Sequence, residues 1–448
     1  MSKHLFSDVR VPIEEDNLSI CRDESKCIKC GACKSVCKFS LSVYGYYKLE
    51  ETNDKAICIG CGQCSNVCPT RSITEKYDYK KVLEILKSDK VKVFQTSPAI
   101  RVALGEEFGL EPGTNVEGKI VSVLRSIGAN YVFDTTFGAD LTIMEEASEL
   151  VDRINNKGVL PMFTSCCPSW VKFTEIFYPE FIPNLSTCKS PILMQGAIIK
   201  NYFSKIKNIN KEDIVSIAVT PCTSKKSEIK REEFDNDVDY VITTRELAEI
   251  IRREDIDFKN IEESNYDSVM GHGAGSGIIF GSSGGVMEAA CRYVYKLLTG
   301  NDPEGKLLEF NEVRGLSNVK EATLNINDKE LKLAVINGTG DARKLLEKLK
   351  KQEVSYDFIE VMACEGGCIA GGGQPRVIFP VTPEIKNKRS SGLYNIDKNS
   401  TIRNCYQNKE IIDLYNNYLE KPLSNKSHEL LHTTYVDRSY ILKETSKN

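Results

Sequence analysis

Four cysteines fall at Cys27-x2-Cys30-x2-Cys33-x3-Cys37, and the pattern recurs as Cys58-x2-Cys61-x2-Cys64-x3-Cys68-Pro69. No other feature restricts the fold so tightly. Thiolates at this spacing are metal ligands, since a short loop brings its sulfurs to one centre only when few residues separate them. Gly31, Ala32, Gly60 and Gly62 are small residues between the ligands, which let the backbone wrap closely and aim its amides at sulfide. Structural zinc on paired CxxC knuckles is the competing meaning. Two complete four-cysteine runs favour a pair of [4Fe–4S] cubes.

The repeat has the spacing of a two-cluster bacterial ferredoxin, in which the fourth cysteine of each run serves the other cluster. That assigns Cys27, Cys30, Cys33 and Cys68 to one cube and Cys58, Cys61, Cys64 and Cys37 to the second. Lys38 stands where a proline usually follows, a change that touches one cluster's potential and not its ligation.

The remaining composition narrows the class. Seventeen cysteines, most of them in clustered runs, do not form a disulfide framework, and four scattered histidines (His4, His272, His428, His432) do not make a histidine metal site, so the metal is bound by sulfur. A net charge of −4 gives no basic field for nucleic acid. No apolar run approaches the ~20 residues that span a bilayer. Met1 to Asp16 carries acids where a signal peptide needs an apolar core, so a cytoplasmic protein without a membrane partner is expected.

A chain of 448 residues needs more than one core. Residues 1–20 read as an N-terminal extension and 21–78 as the two-cluster domain. From Tyr77 the pattern changes to alternating strands and helices: a strand at 91–99, periodic apolar residues over 116–124, a strand at 131–133, a helix from Ala139, and strands at 160–164, 214–219, 333–337 and 358–362. Such alternation predicts an α/β fold with parallel sheets. Gly271 to Gly285 lacks a phosphate-binding frame and reads as a helix start or a close backbone approach. Beyond Pro380 the chain turns polar, with short helices at 411–418 and 428–432 that wrap the sheet domain.

Three further cysteine motifs follow: Thr164-Ser165-Cys166-Cys167-Pro168-Ser169-Trp170, Thr220-Pro221-Cys222-Thr223-Ser224-Lys225-Lys226, and Met362-Ala363-Cys364-Glu365-Gly366-Gly367-Cys368-Ile369-Ala370-Gly371-Gly372-Gly373. Several of these cysteines come just past predicted strand ends, where open α/β sheets gather ligands. On the predicted helix, Glu146, Glu149 and Arg153 are spaced three and four apart and share a face. An exposed charged face is the commoner meaning of that spacing; carboxyls in series ending at an arginine can also relay protons.

In this order behind a two-cluster segment, the three motifs resemble those of the [FeFe]-hydrogenases over roughly residues 21–435. The resemblance implies a ferredoxin-like 2[4Fe–4S] domain, then a catalytic domain (79–382) of two parallel-sheet α/β lobes with the cofactor in the cleft between them, then a C-terminal wrap (383–448). It also implies that Cys167, Cys222, Cys364 and Cys368 hold a [4Fe–4S] cube, Cys368 also bridging to a diiron unit with CO, cyanide and a dithiolate bridge. Lys225 is similar to the lysine that hydrogen-bonds one cyanide, and Pro98, Ser190, Pro191, Met362 and Phe280 match the pocket lining. The relay carries over as Cys166, Glu146, Ser186, Glu149 and Arg153.

Three positions depart from the common pattern: Ser169 for glycine, Ile192 for glutamine and Thr220 for methionine. Cys21, Cys188, Cys291 and Cys405 have no ligand role and read as buried, inert thiols. The implied activity is reversible hydrogen oxidation, with electrons exchanged with a soluble ferredoxin or flavodoxin-type carrier and the diiron unit inserted by separate maturases. A hydrogen sensor and a non-catalytic iron–sulfur assembly factor are the alternatives. The whole relay argues against the first, and Lys225 and Met362 against the second.

Overall fold

The computed structural model describes residues 9–442 except Asp235 and Asp328, so the outer ends of the 1–20 and 383–448 segments lie outside the described residues. Strand β1 (Ile20–Arg22) pairs antiparallel with β2 (Ile73–Glu75), closing a small unit around both cysteine runs. The next strands are β3 (Val91–Thr96), β4 (Tyr131–Asp134), β5 (Met162–Phe163), β6 (Ile214–Thr220) and β7 (Tyr240–Thr243). They are followed by β8 (Val319–Ile326), β9 (Lys329–Asn337) and β10 (Phe358–Met362). One sheet has the order β4-β3-β6-β7 with every neighbour parallel. The other runs β5-β10-β9-β8.

The composition of the strands explains their places. β6 is buried along its whole length and reads as an apolar run interrupted only by the small Ser216 before Thr220 ends it, as suits a strand covered on both faces. β8 alternates exposed and buried residues and pairs antiparallel with β9 at the sheet edge. The second lobe is therefore a parallel sheet with one antiparallel edge hairpin, an addition to the expected pattern. β7 is a further strand that the sequence reading missed.

The helix Thr135–Asn155 runs between the lobes, its first turn capped by Asp134, whose carboxylate accepts from the Thr136 N–H at 3.0 Å. At Gly138 an added Cβ would sit 2.3 Å from the Pro191 carbonyl, so only glycine permits this close crossing with the helix Pro191–Ile198. The polar stretch after Pro380 contains the helix Pro383–Asn399, longer than any expected there. Buried ion pairs dock it: Arg389 with Glu106 at 2.7 Å, and Asp397 with Arg292 at 2.8 Å and Arg403 at 2.6 Å. The helices Lys409–Leu414 and Asn425–Leu431 follow.

Candidate metal centre and proton relay

The carboxyl ends of both sheets deliver the central motifs to one cavity. Cys222 lies two residues past β6, Cys364 two residues past β10, and Cys167 caps the helix Pro168–Phe177 in the loop leaving β5. The buried Trp170 fixes that loop, its indole N–H donating to the Thr164 carbonyl at 3.1 Å. Cys167, Cys222, Cys364 and Cys368 line a cavity with about 790 Å³ between its lining atoms out to the mouth. Cys166, Lys225, Pro98, Pro191, Phe280 and Met362 line it as well, and so do Ser169, Ile192 and Thr220. Ser190 is the exception: it is buried behind the wall, preceding Pro191, and its hydroxyl has no hydrogen-bond partner among the described residues.

The donor set fits an iron–sulfur cube. Burial and the neighbouring Cys167 push the Cys222 thiol up to about 11, and burial with Cys61, Cys222 and the other thiols pushes Cys364 well above its ordinary value. Four buried thiols that penalise one another's ionisation make sense once a metal displaces their protons. Gly367 adopts φ +87°, and a Cβ there would lie 2.6 Å from the Ser283 nitrogen, so the chain passes too close for any side chain. The cavity is walled by apolar residues and carries one lysine cation, suited to an anionic group.

Lys225 is buried and already partnered. Its Nζ lies 2.9 Å from Glu228 Oε2 and donates to the Cys166 carbonyl at 3.1 Å. Burial lowers its proton affinity, but Glu228 and Cys222 outweigh that and raise it, so it stays charged. Lys226 is buried too, 2.9 Å from Glu246 and 3.0 Å from Asp78.

The second ferredoxin-like run faces this centre. Cys37, Cys58, Cys61 and Cys64 line one small cavity. Gln63 Nε2 donates to Cys364 Sγ at 3.1 Å. Among the thiols assigned to the first cube, Cys30 is exposed, while Cys27, Cys33 and Cys68 are half-buried.

A line of polar groups leads from the cavity to the surface. Cys166 stands beside Glu146: burial first, then the Glu146 charge, keeps its thiol protonated. Burial and the neighbouring Glu149 push Glu146 up to about 8, offset in part by the Ser186 hydroxyl and the Ser165 backbone. Glu146 Oε1 has no partner among the described residues. Ser186 Oγ donates to Glu149 Oε2 at 3.0 Å, and Arg153 Nη2 lies 2.6 Å from Glu149 Oε1 with 12% of its side chain exposed.

Groups the sequence reading missed surround this line. Thr187 N donates to Glu149 Oε2 at 3.0 Å, its hydroxyl lies 2.7 Å from His432 Nδ1, and His432 Nε2 lies 3.1 Å from Glu145 Oε2. Tyr415 OH donates to Glu145 Oε1 at 2.6 Å. Cys188, read as an inert thiol, sits 4.0 Å from Glu149 Oε2. Only Glu228, at i+3 from Lys225, carried a local signal.

Comparison with known proteins decides the family. The profile described as "Iron only hydrogenase large subunit, C-terminal domain" matches residues 90–372, "Iron hydrogenase small subunit" matches 383–438, and "4Fe-4S dicluster domain" matches 26–73. The chain belongs to the iron-only hydrogenase family. Iron hydrogenase 1 of Clostridium pasteurianum is 42% identical over 94% of this chain and 77% of its own length. The NADP-reducing hydrogenase subunit HndD of Solidesulfovibrio fructosivorans is 43% identical over 94% and 75%. A single-site variant of the [FeFe]-hydrogenase HydA1 of Chlamydomonas reinhardtii superposes with a TM-score of 0.71 at 39% identity, covering 80% of this chain and 98% of that one. Protein NAR1 of Arabidopsis thaliana is more distant, 32% identical over 81% of each chain. This iron hydrogenase is thus an enzyme by kinship. No helix among the described residues is long and apolar enough to cross a membrane.

Proposed function

We propose that this hydrogenase catalyses H2 = 2 H+ + 2 e− at a [4Fe–4S] cube held by Cys167, Cys222, Cys364 and Cys368, with a diiron unit attached through Cys368. The observation that carries the reading is the meeting, in one buried cavity, of four metal-binding thiols, a charged lysine and a fifth thiol that opens a relay. When bound, the diiron group supplies the open iron position at which hydrogen is split heterolytically.

The chain's own residues do the rest. Lys225 Nζ offers a charge-assisted donor to an anionic ligand such as cyanide. Pro98, Pro191, Phe280 and Met362 keep water from the reacting centre, with Ser190 behind them. Cys166 exchanges the proton, and Glu146, Ser186, Glu149 and Arg153 carry it outward in turn, the Ser186 hydroxyl donating to the Glu149 carboxylate. The crossed ligand sets would hold two [4Fe–4S] clusters that supply one-electron transfer, and Gln63 links the nearer set to Cys364.

The same reading includes a soluble ferredoxin or flavodoxin-type carrier, separate maturases for the diiron unit, and a cytoplasmic location. Seventeen unpaired thiols support a reducing compartment. The division at 21–78, 79–382 and 383–448 is supported by the β1–β2 pair that closes the small unit. Maturation with the diiron cofactor followed by a viologen assay tests the proposal. Fast turnover with carbonyl and cyanide infrared bands is expected. Feeble turnover would mark a sensor, and bands absent with no turnover an assembly factor.

A further inference from the structure

The helix Thr135–Asn155 buries more negative charge than its neighbours balance. Glu145, Glu146 and Glu149 are all buried, and among the described residues Arg153 is the only arginine or lysine that pairs with them. Beside them lies the fully buried Cys188, its sulfur 4.0 Å from Glu149 Oε2. Burial first, then the charges of Glu149, Glu146 and Glu145, raise the affinity of that thiol for its proton well above the ordinary value. A cation placed here would relieve both the carboxylates and the thiol.

The side chains are grouped as a single ion requires. The Cys188 sulfur, a Glu149 carboxylate oxygen and a His432 ring nitrogen all lie within 4.8 Å of one another, and all three residues are buried. Tetrahedral zinc with bonds of about 2.0–2.3 Å sets its ligands about 3.3–3.8 Å apart, so a closure of about 1 Å brings the three onto one ion.

The imidazole is already oriented for ligation. Glu145 accepts from the Tyr415 hydroxyl at 2.6 Å and from the Leu423 N–H at 2.8 Å, and it serves as acceptor again for His432 Nε2 at 3.1 Å. His432 thus carries its proton on Nε2 and keeps a lone pair on Nδ1, where the Thr187 hydroxyl lies at 2.7 Å. A carboxylate behind the histidine is the arrangement that aims imidazole at metal ions. His428 stacks on His432 with ring centroids 4.3 Å apart and is itself exposed, which offers an incoming cation a first imidazole at the surface.

We propose that Cys188 Sγ, Glu149 Oε2 and His432 Nδ1 bind one Zn2+ ion, with water or the Thr187 hydroxyl as fourth ligand, and that this ion brakes the proton relay. Sulfur, imidazole and carboxylate together suit zinc and not magnesium or calcium, which take oxygen ligands. Binding sends one proton from Cys188 to solvent, and the thiolate and carboxylate then balance the two charges of the ion. Glu149 Oε2 is the atom that accepts from Ser186 at 3.0 Å, so zinc on that oxygen occupies the lone pair the relay uses. The brake rests on the relay proposed above; the binding rests on the three side chains alone.

The test titrates matured holoenzyme with zinc chloride and follows viologen-linked turnover, zinc retained per chain, and X-ray absorption at the zinc edge. Each protein is compared with its own zinc-free rate. We expect about one zinc per chain with one sulfur neighbour, turnover lower by about tenfold or more, and recovery on adding EDTA with iron content unchanged. Cys188→Ala should lose the sulfur neighbour and need about tenfold or more zinc for the same inhibition. Cys188→Ser, closer in size to the thiol, should behave alike. A wild-type zinc spectrum without sulfur, or inhibition unchanged in both variants, overturns the site. Zinc held through one sulfur with undiminished turnover overturns the brake. A wild type without zinc-free turnover overturns the hydrogenase reading instead, and the sulfur neighbour still decides the site.

Discussion

Ser186 Oγ donates to Glu149 Oε2 at 3.0 Å while Arg153 holds the other oxygen of the same carboxylate at 2.6 Å. Glu149 is thereby fixed between an inner hydroxyl and an outer cation, the geometry a proton handover needs. An amide cannot carry the proton onward. Glu149→Gln is expected to cut viologen-linked turnover by about a hundredfold or more while iron content stays at the wild-type level. Paired activity and iron assays check this.

Glu146 makes the fold pH-sensitive in a definite direction. Its folded proton affinity, about 8, lies above its ordinary 4.5, chiefly through burial. Between those values the folded state holds a proton that the unfolded state has released. This group's contribution is therefore fully present below pH 4.5 and is lost as pH rises towards 8. Glu146→Gln removes the titration, so its melting temperature relative to wild type should climb across that window. A flat difference would show that Glu146 is ionised in the fold.

Lys225 and Glu228 form a pair that should not be broken from one side. Lys225→Met leaves Glu228 buried without its cation, at a cost of about 3–5 kcal/mol. Adding Glu228→Leu should recover most of that loss in stability without restoring the cofactor contact. Thermal unfolding of the single and double variants separates the two effects.

His432 ties the C-terminal wrap to the central helix through Glu145 and Thr187. His432→Ala leaves Glu145 to Tyr415 and the Leu423 N–H, costing about 1–3 kcal/mol for the unsatisfied groups. Limited proteolysis should then cut the 421–442 segment faster than in wild type.

What the sequence disclosed and what it hid follow from the range of the forces involved. Ligand cysteines sit at short spacing because iron requires it, so both runs and all three later motifs could be read locally. β6 and β10 were visible as short segments rich in apolar residues. β8 was not, because an edge strand with one wet face needs few apolar residues. The helix Pro383–Asn399 escaped because its stability comes from Arg389 with Glu106 and Asp397 with Arg292, partners far off in the chain. The contact of His432 with Glu145 spans 287 residues, beyond any local pattern. Ser190 was matched by motif, yet whether its side chain reaches the cavity depended on how Pro191 turns the backbone.

The helix Thr135–Asn155 carries Glu145 towards the tail, Glu146 towards the cavity thiols and Glu149 towards the surface arginine. Inserting or deleting one residue upstream of these three would rotate all of them by about 100° at a stroke. Drift in length along this rod is therefore barred, and the lineage can lengthen or shorten it only beyond its working section.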